Sequence, residues 1–264
     1  MTTMTSYPEG RFCWIELSTT DVTAAKKFYG PLLGWSWDEH PMGPGEVYSM
    51  GKIANGQICG AYTLNPEQKK QGVPPNWGVY VAVDSVDVTA KKAAELGGKI
   101  LVPAFDVMDV GRMATIQDPT GATFNLWQAK KHAGAAVVNE PGAFDWFELS
   151  TSDPVKAAAY YAKLFGWTTS TMDMGPMKYT MCMLGETPVG GITSSDPKMK
   201  APPAWVVYFN VTDVDAVVRN AREMGAQVLV PPTDVPNMVR FAILQDAQHA
   251  VFGVAKSLKP AGAS

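Results

Sequence analysis

The sequence predicts an α+β protein built from four β-α-β-β-β modules, and three observations carry that prediction. The first is a duplication. Residues 10–35, GRFCWIELSTTDVTAAKKFYGPLLGW, return as residues 142–167, GAFDWFELSTSDPVKAAAYYAKLFGW, with 13 of 26 positions identical and no gap. That is too many for shared local propensity, and internal repeats of this kind decide the architecture. The echo continues at an offset of 128, where residues 77–83, WGVYVAV, return as residues 205–211, WVVYFNV. Val102-Pro103 likewise returns as Val230-Pro231, and Gln117-Asp118 as Gln245-Asp246. The second observation is that each half itself reads as two similar pieces. The third is that each helix is followed by several strands, which disfavours a doubly wound parallel sheet.

The elements follow in order. Residues 12–17 alternate and are rich in aromatic and apolar side chains, the pattern of a strand. Asp21 caps the helix behind it, and Asp153-Pro154 is the stronger version, a cap followed by proline at the first helical position. The first helix is expected to end near Gly30-Pro31, with short strands around residues 47–51 and 57–63. The pattern then restarts with a strand over 77–83, a helix opened by Ser85 or Asp87 and closed by Gly97-Gly98, and strands near 99–102, 113–117 and 123–127. Two domains are expected, 7–130 and 142–256, joined by a linker over 131–141. Gly43-Pro44-Gly45 reads as a turn and not a phosphate loop, because no Gly-Lys-Ser/Thr follows.

Composition excludes several classes. A chain of 264 residues with 46% apolar and 18% charged residues buries a core without staples. A net charge of −3, and no Lys/Arg run longer than a pair, argue against nucleic acid. Three widely spaced cysteines, Cys13, Cys59 and Cys182, read as buried reduced thiols of a cytoplasmic protein. Neither a signal peptide nor a run of 18 apolar residues is visible, so no membrane association is expected.

Asp21…Ala25…Phe28-Tyr29…Leu33-Gly34-Trp35, and Asp118-Pro119-Thr120-Gly121…Phe124-Asn125-Leu126-Trp127, resemble the first strand–helix junction and the closing hairpin of the vicinal-oxygen-chelate superfamily (glyoxalase I, bleomycin-resistance protein, extradiol dioxygenase). Trp14-Ile15-Glu16-Leu17 and Trp146-Phe147-Glu148-Leu149 resemble a tandem, actinobacterial-type glyoxalase-like branch. The resemblance covers residues 7–130 and 140–256 and implies two glyoxalase/bleomycin-resistance-type domains, each a cupped mixed sheet with helices outside. Pairing of modules within or across the halves is left open. The scaffold hosts many chemistries, so function must come from the site.

The resemblance also implies where a metal would sit. The first ligand lies fourteen residues before the Phe of the Phe-Tyr pair, where this chain has Trp14 and Trp146. The second position holds Gly78 and Val206, and the third holds Asn125 and Gly253. The extra carboxylate of glyoxalase I has no counterpart in residues 58–62 or 189–193. Divalent ions demand lone-pair donors, so no metal and no other cofactor is expected. His132 in the linker and His40 in a Pro/Gly-rich loop read as solvated, and His249 replaces the turn glycine Gly121 for its tolerance of left-handed backbone.

Strand alternation assigns the faces. Cys13, Ile15, Leu17, Val79, Val81, Val83, Phe124 and Leu126 face the helices. Phe12, Trp14, Glu16, Gly78, Tyr80, Ala82, Thr123, Asn125 and Trp127 face the first cup; Phe144, Trp146, Glu148, Val206, Tyr208, Asn210, Val251, Gly253 and Ala255 face the second. Tyr48 and Tyr179 are expected at the rims. The candidate ligand-binding residues are therefore Trp14, Tyr48, Tyr80, Asn125, Trp127, Trp146, Tyr179, Tyr208 and Asn210. Glu16 and Glu148 are the candidate catalytic bases, since a carboxylate walled by aromatics is costly to ionise. Their alternative is structural: pairing with Arg112 and Arg240, or hydrogen bonding to backbone. Met172, Met174, Met177, Met181 and Met183 form a soft wall or ordinary core. Two functions stand open. One is a metal-free module holding a small planar or hydrophobic molecule. The other is a glyoxalase-like lyase or isomerase acting on reactive carbonyls. A third possibility is a surface-recognition protein with a vestigial cup. The expected partner is a small molecule, and the chain a monomer or homodimer.

Overall fold

The computed structural model describes residues 3–43, 46–173, 178–196 and 201–258. The first half runs β1 (Phe12–Thr19), α1 (Val22–Leu33), β2 (Ser36–Gly43), β3 (Glu46–Ile53), β4 (Gly56–Thr63), α2 (Pro66–Lys70), β5 (Asn76–Ala82), α3 (Val86–Glu95), β6 (Lys99–Val107), β7 (Gly111–Gln117) and β8 (Thr123–Ala129). The second half runs β9 (Phe144–Thr151), α4 (Pro154–Phe165), β10 (Thr168–Asp173), β11 (Lys178–Leu184), β12 (Thr187–Ser194), β13 (Ala204–Asn210), α5 (Val214–Glu223), β14 (Gln227–Val235), β15 (Val239–Gln245) and β16 (Val251–Ser257). Met174, Met177, Pro44 and Gly45 lie outside the described residues.

Each half makes one eight-stranded sheet, in the order β2-β3-β4-β1-β5-β8-β7-β6 and β10-β11-β12-β9-β13-β16-β15-β14. The two modules of a half join where β1 meets β5, and β9 meets β13, antiparallel. Pairing is therefore within each half.

Local chemistry explains most boundaries. Asp21, Ser85, Asp153 and Asp213 each accept the backbone N–H three residues on, which closes the first turn of α1, α3, α4 and α5. α1 does not end at Gly30-Pro31. Pro31 lies inside its last turn, where it removes one backbone donor without ending the helix. The stop is Gly34, at φ 76°, whose N–H returns to the Gly30 carbonyl. β2 and α2 have no counterpart among the expected elements. β2 is almost wholly exposed and shows no alternation, and His40, expected in a loop, pairs with Tyr48 within it. His249 sits at φ 76°, matching the conformational role expected for it beside Gly121 at φ 109°.

The helix-covered faces of the two sheets meet in one core that draws on both halves. The contacts come in equivalent pairs. Trp35 Nε1 donates to the Gly142 carbonyl and Trp167 Nε1 to the Gly10 carbonyl, both at 2.8 Å. Tyr29 reaches across to Asp246 Oδ2, and Tyr161 to Asp118 Oδ2, both at 2.9 Å. Trp77 and Trp205 in turn donate to these two hydroxyls. Phe12 corrects the facing assignment. It stacks on Phe147 with ring centroids 4.0 Å apart and packs near Trp167 and Trp205, in the core between the halves. Phe144 also packs on Phe147, at 5.3 Å. The reason is a register shift between Phe12 and Trp14 in β1, and between Tyr208 and Phe209 in β13, which inverts the alternation locally.

The stretch between the sheets is not a free tether. Ala135, Val137 and Val138 are buried, and Ala135 N and Ala136 N donate to the Cys13 and Gln57 carbonyls. His132, expected in solvent, lies edge-on to Trp14 with centroids 4.6 Å apart and also meets Trp127. Burial holds its imidazolium form down.

Asp145 stands where the first half has Cys13. Its Oδ1 finds no hydrogen-bond partner among the described residues, beside a cavity of about 30 Å³ lined in part by Tyr7, Phe12, Phe144 and Pro188. Burial pushes its carboxyl up to about 7. The folded chain therefore holds this proton more tightly than the unfolded chain, whose Asp titrates near about 4. Stability should fall as pH rises between about 4 and 7, then level off. Asp145→Asn is expected to abolish that decline, so urea melts should show the variant more stable than its parent at alkaline pH and equal to it at acid pH. The same difference at both ends would contradict the assignment.

Candidate functional site

The site is built around Glu16, in the middle of β1. Its cross-strand neighbours are both glycines, Gly60 on β4 and Gly78 on β5. The bare Gly60 backbone matters, because a Cβ there would stand 1.9 Å from the Tyr48 hydroxyl. Tyr48, on β3, uses that space to donate to Glu16 Oε1 at 2.7 Å. Tyr80, on β5, donates to Oε2 at 2.8 Å. Each carboxylate oxygen thus takes one phenol. Burial raises the Glu16 pKa, and the two phenol bonds partly oppose it. Both tyrosines are held far into their neutral form by burial and by the facing charge.

The second half repeats the device around Glu148, between Gly191 and Val206. Tyr208 donates to Oε1 at 3.2 Å, and Trp146 Nε1 donates to the Tyr179 hydroxyl at 2.9 Å. Tyr179 also bonds Glu148, whose pKa burial again raises. A Cβ on Gly191 would collide with the Tyr179 hydroxyl at 1.9 Å. Two glycines at equivalent places, each facing a tyrosine, were a signal available in the sequence.

The proposed arginine pairing of Glu16 and Glu148 is not observed. Arg112 grips Asp87 at 2.8 and 2.9 Å and reaches Asp106, while Arg240 grips Asp215 at 2.8 Å and reaches Asp234. Alternation explains it: Arg112 shares a face of β7 with the buried Ala114 and Ile116, whereas Met113 and Thr115 take the other face. The glutamates' partners are phenols from neighbouring strands.

The remaining candidates divide. Trp14 pairs with Tyr80 across β1 and β5, and it bonds the Tyr48 hydroxyl. Trp127 lies edge-on to Tyr80 at 6.2 Å and donates to the His132 carbonyl. Asn125 accepts from Thr115 at 2.8 Å and donates to the Val79 carbonyl. Asn210 departs from the cup assignment: its amide donates to the Asn139 carbonyl, tying β13 to the linker. Thr115, Tyr62, Asn76 and Ser18 were missed. Asn76 bonds Ser18 at 2.9 Å, and Tyr62 accepts from Gln68 at 3.0 Å.

The halves differ in how they fill this framework. Where the first has Met113, Asn125 and Trp127, the second has Phe241, Gly253 and Ala255. Tyr208 swings over Gly253, where a Cβ would lie 2.2 Å from its ring, and packs on Phe241 at 6.2 Å. The second site is therefore the more apolar.

The three positions where family members hold a metal do not fit one here. They offer an indole N–H, a bare glycine and an amide whose two polar atoms are already engaged. Among the described residues no group of three or more His, Cys, Asp or Glu converges.

A cleft of about 540 Å³ opens at the end of the first sheet, between the start of α1, the β2–β3 hairpin and α2. Tyr48 and Tyr62 line it, with Asp21, Lys26, Glu39, Met42, Glu46 and Val47 among its other walls. Tyr48 thus touches both the cleft and Glu16.

Paired β-α-β-β-β modules closing two cupped sheets, each with a central carboxylate, define a tandem glyoxalase-type protein. The chain belongs to the Glyoxalase/Bleomycin resistance protein/Dioxygenase superfamily, whose family profile matches residues 11–126 and 143–253. It is 44% identical over 257 residues to CFP32 of Mycobacterium tuberculosis, provisionally named a glyoxylase, covering 97% of both chains. It is 33% identical to the anthracycline biosynthesis protein DnrV of Streptomyces peucetius, covering 95% of this chain and 94% of that one. Among solved structures, the Mn(II)-bound glyoxalase of Novosphingobium aromaticivorans superposes with a TM-score of 0.65 at 14% identity, covering 95% of this chain and 83% of that one. The 2,2',3-trihydroxybiphenyl 1,2-dioxygenase of Sphingomonas wittichii gives 0.64 at 9% identity, covering 95% and 91%. These structures share the fold. Among the described residues, no helix is long and apolar enough to cross a membrane.

Proposed function

We propose that the protein binds a small planar molecule at the first cup without a resident metal. The observation that carries this reading is the Tyr48–Glu16–Tyr80 clamp, whose Tyr48 also lines a ligand-sized cleft. Tyr and Trp offer flat apolar surface with a polar end, and one oriented carboxylate sets the ligand's direction. The donor set at the family's metal positions supports the metal-free part of the reading. Each sheet draws all eight strands from one half, so a monomer is sufficient to build it, with a homodimer as the alternative.

A second reading is favoured by the same carboxylate. Burial moves Glu16 toward the range of a general base, and a relative carries a glyoxylase name. In that reading Glu16 takes a proton from the carbon next to a carbonyl and returns it to the neighbouring carbon, an isomerisation that needs no oxidant; a phenol can serve the oxygen that gains charge only by giving up its bond to Glu16. Glu148 is the corresponding group in the second half.

Tryptophan fluorescence separates the readings, because Trp14 lies beside Tyr80. Titration with planar aromatic compounds is expected to saturate, and no saturable change with any of them would refute binding at the cup. Glu16→Gln should lower turnover of hemithioacetals, formed from an α-oxoaldehyde and a thiol, by about 100-fold or more if Glu16 is a base. Equal turnover in parent and variant leaves only the binding reading.

A further inference from the structure

We infer that the first-half cleft takes an organic cation, an amine or quaternary ammonium group carried on an apolar or aromatic body. This rests on the reading that the first cup is a ligand site and names the class of ligand.

The argument begins with charge. Both Glu16 oxygens are held by neutral phenols, and among the described residues no ion pair reaches the carboxylate. When it ionises, the charge has no cationic counterpart inside the protein, and a buried charge left alone is costly. A ligand cation supplies that counterpart. The cleft that shares Tyr48 with this carboxylate carries the same sign. Its walls carry three acidic residues, Asp21, Glu39 and Glu46, against one base, Lys26, which is already paired with Glu39. Cations are drawn toward such a mouth, and the field is focused by its low-dielectric walls.

The aromatic wall agrees. Tyr48 and Tyr62 are direct cross-strand partners on β3 and β4, and both line the cleft. Aromatic faces attract ammonium groups and do so more strongly away from water. Tyr48 links this wall to Glu16 by its hydroxyl, so the aromatic wall and the carboxylate are joined through one residue.

The second half is an internal control. Its counterpart of Tyr62 is Thr193, paired with Tyr179, which removes one of the two rings. Its counterpart of Val47 is Lys178, an exposed cation on the same stretch of strand. Those two changes remove aromatic attraction and add repulsion. Cation recognition therefore belongs to the first half alone.

Matched pairs differing only in charge test this: benzylamine against benzyl alcohol, and tryptamine against tryptophol, each titrated calorimetrically into the intact protein. The amine of at least one pair is expected to bind about tenfold more tightly than its alcohol, with the ratio shrinking as salt rises. Glu16→Gln should bring that ratio close to one. Val47→Lys, at a partly exposed position whose counterpart in the second half is Lys178, should lower it as well. If amines and alcohols bind alike, the inference fails and the cup-binding reading stands. If no member of any pair binds, both fail. A preference untouched by Glu16→Gln and Val47→Lys places the cation elsewhere and also overturns the inference.

Discussion

Asp118→Ala is expected to destabilise the protein by about 3 kcal/mol, a drop in Tm of roughly 6–12 °C for a chain of this length. Asp118 is 3% exposed. Its Oδ1 accepts from the backbone of Thr120, Gly121 and Ala122 and from the Thr120 hydroxyl, while Oδ2 takes the Tyr161 hydroxyl from the other half. Removing the carboxylate leaves several turn donors and one interface hydroxyl without a partner in a water-poor setting. Orphaned donors account for most of such a loss. Tyr161→Phe removes the interface bond and also the hydroxyl to which Trp205 Nε1 donates, but leaves the turn donors on Asp118 in place, and should lose about 2 kcal/mol. Asp246→Ala, in the equivalent turn, should behave like Asp118→Ala, because Asp246 accepts from Gln248, Ala250 and Tyr29. Calorimetric melting of the three variants checks the order. A Tm shift for Asp118→Ala no larger than that of Tyr161→Phe would mean the turn holds itself without its aspartate.

The second large effect is expected from exchanging the packing of one half for that of the other. Trp127→Ala alone should lose about 3–5 kcal/mol, the usual range for emptying a buried aromatic site. Gly111→Val alone should also destabilise, because a Cβ at Gly111 stands 2.2 Å from the Trp127 ring. The second half carries Val239, Phe241 and Ala255 where the first has Gly111, Met113 and Trp127. The triple variant Gly111→Val, Met113→Phe, Trp127→Ala should therefore be more stable than the sum of its parts by about 1–3 kcal/mol, since the clash and the void cancel. Denaturant melts of the single and triple variants measure that coupling. Strict additivity would show that the two halves do not share one packing solution.

Much of the site was legible in single residues. Glu16 and Glu148 stand out as carboxylates within aromatic strands, and Tyr48, Tyr80, Tyr179 and Tyr208 are their partners. The face of Arg112 was also readable, since it shares alternate positions with Ala114 and Ile116, so the arginine pairing fell to an alternation rule already in use. Asn210 and Phe12 were not legible, because a bulge changes phase and leaves no signature in the strand itself. The cleft depends on β2, an exposed strand without alternation, so neither its walls nor the role of Tyr62 could be anticipated.

The sequence by itself determined the duplication, the order of the strands and helices apart from β2 and α2, the capping aspartates and the left-handed turn at His249. The duplication is read by comparing the two halves; the elements, caps and turn depend on residues close together in the chain, where steric and hydrogen-bond preferences act directly. Tertiary structure decided that modules pair within a half, that the repeated Asp turns bind the opposite half's tyrosines, and that the glutamates face phenols. Those outcomes depend on which strands, separated by tens of residues, lie side by side. That is settled by the cooperative burial of whole apolar faces, and no local stretch of chain encodes it.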